Sequence, residues 1–415
     1  MLYGLGVAAF ALAILISVSL HELGHMITAK RFGMKVTKYF VGFGPTIFSF
    51  QRGETEYGLK AIPLGGFCKI VGMTPQDDDV EPADQPRAMW RFPVWKRTVV
   101  MSAGSITHFL LALVACWFAA IFVGLPNPAL PTDAASQRTA PAMISVGDCA
   151  PVVVTTQPCT AADPPGPAKA AGLLTGDVVT QVGATPVANY GQLTDAIRAA
   201  KPGPTAFTYV RDGKTQTASV NLVAGQRAPL DDPKGAVRTV AVAAIGPSTD
   251  QPATVKYGPI GALGATGHFS WTLVKGTFSA LGSIPDKVPA LWHSITGAQR
   301  DPNTPISVVG ASRLGGEAIA NGVPQIFLLI FISLNVFIGI FNLLPLLPVD
   351  GGHIAIAWYE GVRSWLYARL KKPDPGRVDY YKLMPLTYAV ILIGGAFTLL
   401  TITADVVNPI TIFSR

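Results

Sequence analysis

Four stretches of this 415-residue sequence are long and apolar enough to cross a bilayer as helices, which takes about 17 to 25 residues. They run from Leu2 through Leu20 to about Ala29, from Thr98 to Val123, from Ile326 to about Leu346 and from Leu386 to Ile402. Composition points the same way: 49% of residues are hydrophobic and 14% charged, where a soluble domain carries about 25% charged. The expected fold class is a polytopic α-helical membrane protein with about four transmembrane helices. The first run could instead be a cleaved signal peptide, but no Lys or Arg precedes its apolar core and no small-residue cleavage site follows.

Basic residues near the ends of the spans set the orientation, because Lys and Arg concentrate in cytoplasmic loops. Lys30, Arg31, Lys35, Lys38, Arg87, Arg91, Lys96 and Arg97 flank the first loop, and Arg363, Arg369, Lys371, Lys372, Arg377 and Lys382 populate the loop after the third span. Both loops are expected in the cytoplasm, and both termini and the long middle segment outside it. Most of the net charge of +7 then reflects membrane topology rather than a nucleic-acid partner, and the lipid bilayer is the partner that composition demands. Cys68 and Cys116 fall in the first loop and the second span, whereas Cys149 and Cys159 share the oxidising side and are expected to form a disulfide.

The resulting order is a first transmembrane helix over 1–29, a cytoplasmic loop over 30–97, a second helix over 98–124 and an extracytoplasmic region over 125–256. An amphipathic membrane-surface segment covers 257–323, with Trp271, Leu273, Phe278, Leu281, Val288, Leu291 and Trp292 as its apolar side. The third helix covers 324–346, a turn and cytoplasmic loop 347–381, the fourth helix 382–403 and a tail 404–415. In the first loop, Thr46 to Phe50, Thr55 to Ile62 and Leu64 to Met73 read as two or three short strands around Gly65-Gly66-Phe67. Such a Gly-rich apolar segment beside a membrane suggests a re-entrant β-hairpin over about 43–73, since irregular backbone at membrane depth is tolerated where protein or a wet cavity satisfies it. Asp77 to Asp84 reads as a solvated acidic loop, and Pro126 to Pro167 as a linker with one strand at Val152 to Thr155.

The chemistry concentrates in His21-Glu22-Leu23-Gly24-His25, where the first apolar run ends. On a helix His21 and His25 project from one face and can reach one metal ion, with Glu22 beside them. Zinc takes neutral imidazole and carboxylate ligands, keeps one position for water and lowers the pKa of that water to about 7, which makes Glu22 the general base. Polar groups at this depth are costly, about 2.5 to 3.5 kcal/mol for an acidic residue at mid-membrane, and a bound cation offsets that cost; snorkelling side chains are the bland alternative. Two imidazoles do not complete a site. The best third ligand is Asp350, in Asn342-Leu343-Leu344-Pro345-Leu346-Leu347-Pro348-Val349-Asp350-Gly351-Gly352-His353, where two prolines break the helix and two glycines permit a tight turn.

With these residues in view, the chain resembles the site-2 proteases, and especially their bacterial members that cut anti-sigma factors. The match runs over nearly the whole chain: the His-Glu-Leu-Gly-His span, Gly42-Phe43-Gly44, and the Asn-x-x-Pro-x-x-Pro-Val-Asp-Gly segment. Between the second and third spans, Ala171-Gly172-Leu173-Leu174-Thr175-Gly176-Asp177-Val178-Val179 resembles a PDZ domain over about 164–226. A PDZ domain would take an extended peptide as an added strand; a plain spacer domain is the alternative. The resemblance implies one Zn²⁺ per chain held by His21, His25 and Asp350, with Glu22 as catalytic base. It also implies that Asn342 holds the substrate backbone, that the hairpin at Gly65 and Gly66 engages the unwound substrate, and that another protease trims the substrate first. The implied function is regulated intramembrane proteolysis of single-span proteins in the bacterial plasma membrane, with the site toward the cytoplasmic side.

One departure stands in the second span, where the family often carries Gly-Pro-x-x-Asn-Phe and this chain reads Gly104-Ser105-Ile106-Thr107-His108-Phe109. Three roles stand open for His108: taking over hydrogen bonding to substrate, approaching the metal, or a satisfied core histidine. His353 reads as a support beside the ligand turn, and His268 and His293 have no assigned role. Two other readings compete with the protease. A membrane-anchored zincin acting on soluble cytoplasmic substrates would carry its ligands in a soluble domain, and a PDZ scaffold would keep only a vestigial metal site.

Overall fold

The computed structural model describes residues 1–73, 80–131, 134–152, 159, 163–228, 236–298 and 300–412. The chain divides into one unit of residues 1–125 with 256–415 and another of residues 126–255.

The first unit is helical, and four of its helical segments are long and apolar enough to cross a membrane: Leu2–Arg31, Val94–Phe122, Pro324–Asn342 and Tyr380–Val407. In chain order its helices are α1 (Leu2–Arg31), α2 (Val94–Phe122), α3 (Pro259–Ile295), α4 (Val308–Ala320), α5 (Pro324–Asn342), α6 (Asp350–Arg369) and α7 (Met384–Val407). At about 1.5 Å per residue, the 30 residues of α1 extend for about 45 Å. Leu392 and Ile393 of α7 are each 72% exposed, a waste of apolar surface in water and the normal state of a lipid-facing side chain. The chain is a polytopic helical membrane protein.

Helix packing here relies on small residues, because apolar side chains gain nothing by leaving lipid for each other. At Gly24 on α1 an added Cβ would stand 2.8 Å from the Ala103 carbonyl oxygen and 2.7 Å from Thr107 Oγ1, both on α2. The two helices therefore touch backbone to backbone within the His21 to His25 turn. Further along α2, Ala112, Cys116 and Ala119 pack with Ala262 of α3 and Ile332, Val336 and Ile340 of α5.

Between α1 and α2 the chain forms two antiparallel strands, β1 (Val36–Arg52) and β2 (Thr55–Ile70). Two long strands replace the two or three short ones expected, and the register is irregular. Phe48 to Arg52 pair with Leu59 to Thr55 around the tip, while Lys38 to Val41 lie opposite Glu56 to Leu59 and also opposite Lys69 to Gly66. The hairpin therefore curls back on itself, and the bulges that permit this leave no alternation for a sequence reader to follow.

The loop expected over 347–381 is a correction. Asp350 opens the 20-residue helix α6 rather than lying in a loop. Gly351 and Gly352 do not make a free turn: a Cβ at Gly351 would stand 2.2 Å from the Leu344 carbonyl oxygen, and one at Gly352 2.7 Å from Leu347 N. Their bare backbone lets α6 start hard against the segment that leaves α5. On the other flank, Glu360 accepts from Arg97 at 2.9 Å and from the Val378 backbone N–H at 2.9 Å.

The second unit holds a five-stranded sheet. With β3 (Val178–Val182), β4 (Thr185–Pro186), β5 (Gly203–Arg211), β6 (Lys214–Arg227) and β7 (Arg238–Val242), the strand order is β4-β3-β5-β6-β7. Helix Tyr190–Ala199, capped by Asn189 accepting from the Gln192 N–H, packs Leu193 and Ile197 onto Leu173, Val179, Phe207, Val220 and Leu222. Described parts of the stretch expected as a linker are also structured. Ile144–Val146 pairs with Ile245–Pro247, Ala134–Thr139 is helical, and Cys149 is bonded to Cys159. The strand expected at Val152 to Thr155 lies largely outside the described residues, as do Asp77 to Asp79; in the described remainder of the acidic stretch Asp84 pairs with Lys35 at 2.6 Å.

Candidate metal centre

The site grows from the helix period. His21 and His25 stand on the α2-facing side of α1, their rings 4.7 Å apart. His25 Nδ1 lies 2.7 Å from the Val100 carbonyl oxygen, which can only accept, so that nitrogen carries the hydrogen and Nε2 keeps its lone pair. The two Nε2 atoms are 3.1 Å apart, and Asp350 Oδ2 lies 3.4 Å from that of His21 and 3.3 Å from that of His25. Three ligand atoms each about 2.0 to 2.1 Å from a tetrahedral zinc stand about 3.3 Å from one another, so the spacing matches such an ion.

Chemistry adds to geometry. Asp350 Oδ2 is a buried oxygen with no hydrogen-bond partner among the described residues, and His21 Nδ1 is equally bare. His21 is 7% and His25 5% exposed. A carboxylate oxygen and two imidazole nitrogens drawn together at these distances, out of water, form a donor set that suits a cation. Among the described residues His21, His25 and Asp350 are the one group of three or more His, Cys, Asp or Glu whose ligand atoms converge in this way.

Gly104 makes room for it. A Cβ there would stand 2.4 Å from His21 Cε1 and 2.5 Å from His25 Nε2, so α2 can cross the ligands only where it lacks a side chain. Glu22, half-buried, accepts a backbone hydrogen bond from Cys68 on β2, and a Cβ on Gly66 would come within 3.5 Å of its Cγ. Gly66 is thus brought beside the glutamate. Gly65 next to it takes φ +126°, a backbone that favours glycine, with the Phe43 ring 2.9 Å from where its Cβ would be.

Asn342 is the last residue of α5, half-buried, at the start of the segment that leads to Asp350. His108 is 1% exposed with its ring 4.9 Å from that of His21, outside the converging group. His353 Nδ1 lies 3.3 Å from the Tyr380 hydroxyl, and His268 and His293 sit on α3. Two residues went unread in the sequence, Ser17 and Asn335, which bond with His108. The signal was there: Ser17 precedes His21 by one turn on the same face, and a lone Asn inside an apolar span is costly without partners.

Two imidazoles and a carboxylate converging on one point, with a glutamate on the same helical turn, define a polytopic metallopeptidase. Residues 9–372 match peptidase family M50, and the chain belongs to that family. It is 43% identical to the zinc metalloprotease Rip1 of Mycobacterium bovis and 43% identical to that of Mycolicibacterium smegmatis, over the whole of both chains in each case.

Proposed function

We propose that this M50 peptidase is a zinc metalloendopeptidase that hydrolyses a peptide bond within or next to the transmembrane helix of a single-span protein. The observation that carries the reading is the triangle of His21 Nε2, His25 Nε2 and Asp350 Oδ2, with sides of 3.1, 3.4 and 3.3 Å, built on an apolar helix. His21 and His25 precede Arg31, the end of α1, by ten and six residues, or about 15 and 9 Å. With Lys30 and Arg31 on the cytoplasmic side, both termini lie outside and the site lies within the membrane toward the cytoplasm.

His21, His25 and Asp350 would hold one zinc ion, which when bound polarises the scissile carbonyl and lowers the pKa of a water. Glu22 takes the proton of the attacking water and returns it to the leaving amine nitrogen. The hairpin at Gly65 and Gly66 holds the opened substrate as a strand along β2, which replaces the hydrogen bonds a helix loses on unwinding, and Asn342 and His108 hold its backbone from the other side. The second unit acts as a PDZ domain: among the described residues β7 has a strand neighbour on one side only, beside helix Tyr190–Ala199, the arrangement that accepts a peptide strand. The substrates are membrane-anchored regulators of the anti-sigma-factor type, shortened by another protease before they enter.

Glu22→Ala supplies the test. The variant should keep one zinc per chain, lose cleavage by about 10³-fold or more, and hold uncleaved single-span proteins that mass spectrometry can name. Unchanged cleavage by this variant, or wild-type protein purified without zinc, would sink the reading.

A further inference from the structure

Three side chains from three helices meet in the bundle interior: Ser17 of α1, His108 of α2 and Asn335 of α5, exposed by 2%, 1% and 1%. Ser17 Oγ donates to Asn335 Oδ1 at 2.5 Å, His108 Nδ1 lies 2.9 Å from the same oxygen, and Ser17 Oγ lies 3.1 Å from that Nδ1. Asn335 Nδ2 donates to the Phe331 carbonyl oxygen at 2.9 Å. That last bond sets the amide, since the nitrogen faces a pure acceptor and the oxygen is left to face the other two groups. An amide oxygen only accepts, so His108 Nδ1 carries the hydrogen, and the Ser17 lone pair receives it as well. The imidazole is thereby a neutral Nδ1–H tautomer whose Nε2, across the ring from Asn335, bears a lone pair that the cluster does not use.

The ring stands next to the metal ligands. Ser17 is one turn before His21, His108 one turn after Gly104, and the His108 and His21 rings are 4.9 Å apart. His108 stays outside the converging ligand set, and its hydrogen bonds run through Nδ1 rather than Nε2. A substrate helix that opens beside these residues exposes backbone N–H groups in a site with little water, and each needs an acceptor.

We propose that Ser17 and Asn335 are positioning residues that lock His108 in the Nδ1–H tautomer, so that its Nε2 accepts a hydrogen bond from a backbone N–H of the opened substrate. The inference rests on the protease reading above. It assigns the second span an acceptor only, where an asparagine could also have donated.

Full-length protein tests this with isotope-labelled histidine and with a single-span peptide captured by the Glu22→Ala chain. Wild type should show the Nδ1–H ring signature for His108, assigned by its loss in His108→Gln, and Asn335→Leu should turn it into a tautomer mixture. His108→Asn, which can keep the bond to Asn335 but offers nothing at the Nε2 position, should lose about tenfold or more in kcat/KM with zinc still at one per chain. His108→Gln, whose Oε1 reaches that position as an acceptor, should recover most of the loss. An Nε2–H signature in wild type would overturn the proposal, as would equal impairment of the Asn and Gln variants with zinc retained. A wild-type chain that holds zinc but never cleaves would instead strike at the protease reading.

Discussion

A hydrogen atom is all that Gly104 places between α2 and the rings of His21 and His25, and a methyl group in its position would stand 2.4 Å from His21 Cε1. Gly104→Ala should therefore expel either the ring geometry or the ion. Purified variant protein is expected to carry far less than one zinc per chain by elemental analysis, while its helix content by circular dichroism stays at the wild-type level. Equal zinc in both proteins would mean that α2 can retreat without cost. The His21 to His25 pair was readable because its spacing is local and a helix converts four residues into one face. Gly104 was not, because its role exists only once α2 lies across that face, and the same holds for Ser17 and Asn335, 318 residues apart in sequence and 2.5 Å apart in space.

Among the elements, α7 depends on a buried ion pair near its end. Asp405 lies 2.7 Å from Arg300 and accepts from the Ser307 backbone N–H at 2.6 Å, at the start of α4, and the two charged side chains are 1% and 2% exposed. Asp405→Asn leaves a buried guanidinium without its counter-charge, which costs about 3 to 5 kcal/mol. Thermal unfolding in detergent should fall by several degrees, and an unchanged midpoint would mean that water reaches Arg300. In the second unit, burial opposes the charge of Asp177, but Arg211 and the Leu174 N–H hold its carboxyl below the usual carboxylate range. The stability this adds is complete above the unfolded value of about 3.9 and is lost as pH falls through the lower folded value. Hydrogen exchange across 172–182 should stay slow from neutral pH to about 4 after correction for intrinsic rates, then quicken below it, and Asp177→Asn should remove that step. Sequence patterning failed for elements whose glycines serve contact rather than flexibility. Gly351 and Gly352 read as a turn but sit in the first turn of α6, and the bulged register of β1 and β2 hid the length of that hairpin.

At the level of the whole molecule, the metal would tie the first helix to the sixth. Removing it with a chelator should loosen the start of α6 more than the middle of α2, so exchange over 344–356 should rise while that over 108–118 stays slow; uniform change would place the stabilisation elsewhere. The membrane class was legible from composition and four apolar runs, since both are properties of the chain that no packing alters. Which residues join the second unit was not, because 134–149 looks like a polar linker until the strand at Ile144–Val146 finds Ile245–Pro247 about a hundred residues later. The same separation bears on how the protein is made. His25 and Asp350 lie more than three hundred residues apart, and a ribosome adding about 5 to 20 residues per second needs roughly 15 seconds to a minute to pass from one to the other. Throughout that interval the newborn first helix carries a glutamate and two imidazoles with no Asp350 carboxylate to complete the proposed ion site. On the proposed reading the catalytic centre is among the last parts of the protein to exist, and a nascent chain halted before Asp350 should hold no zinc however well its first two spans are inserted.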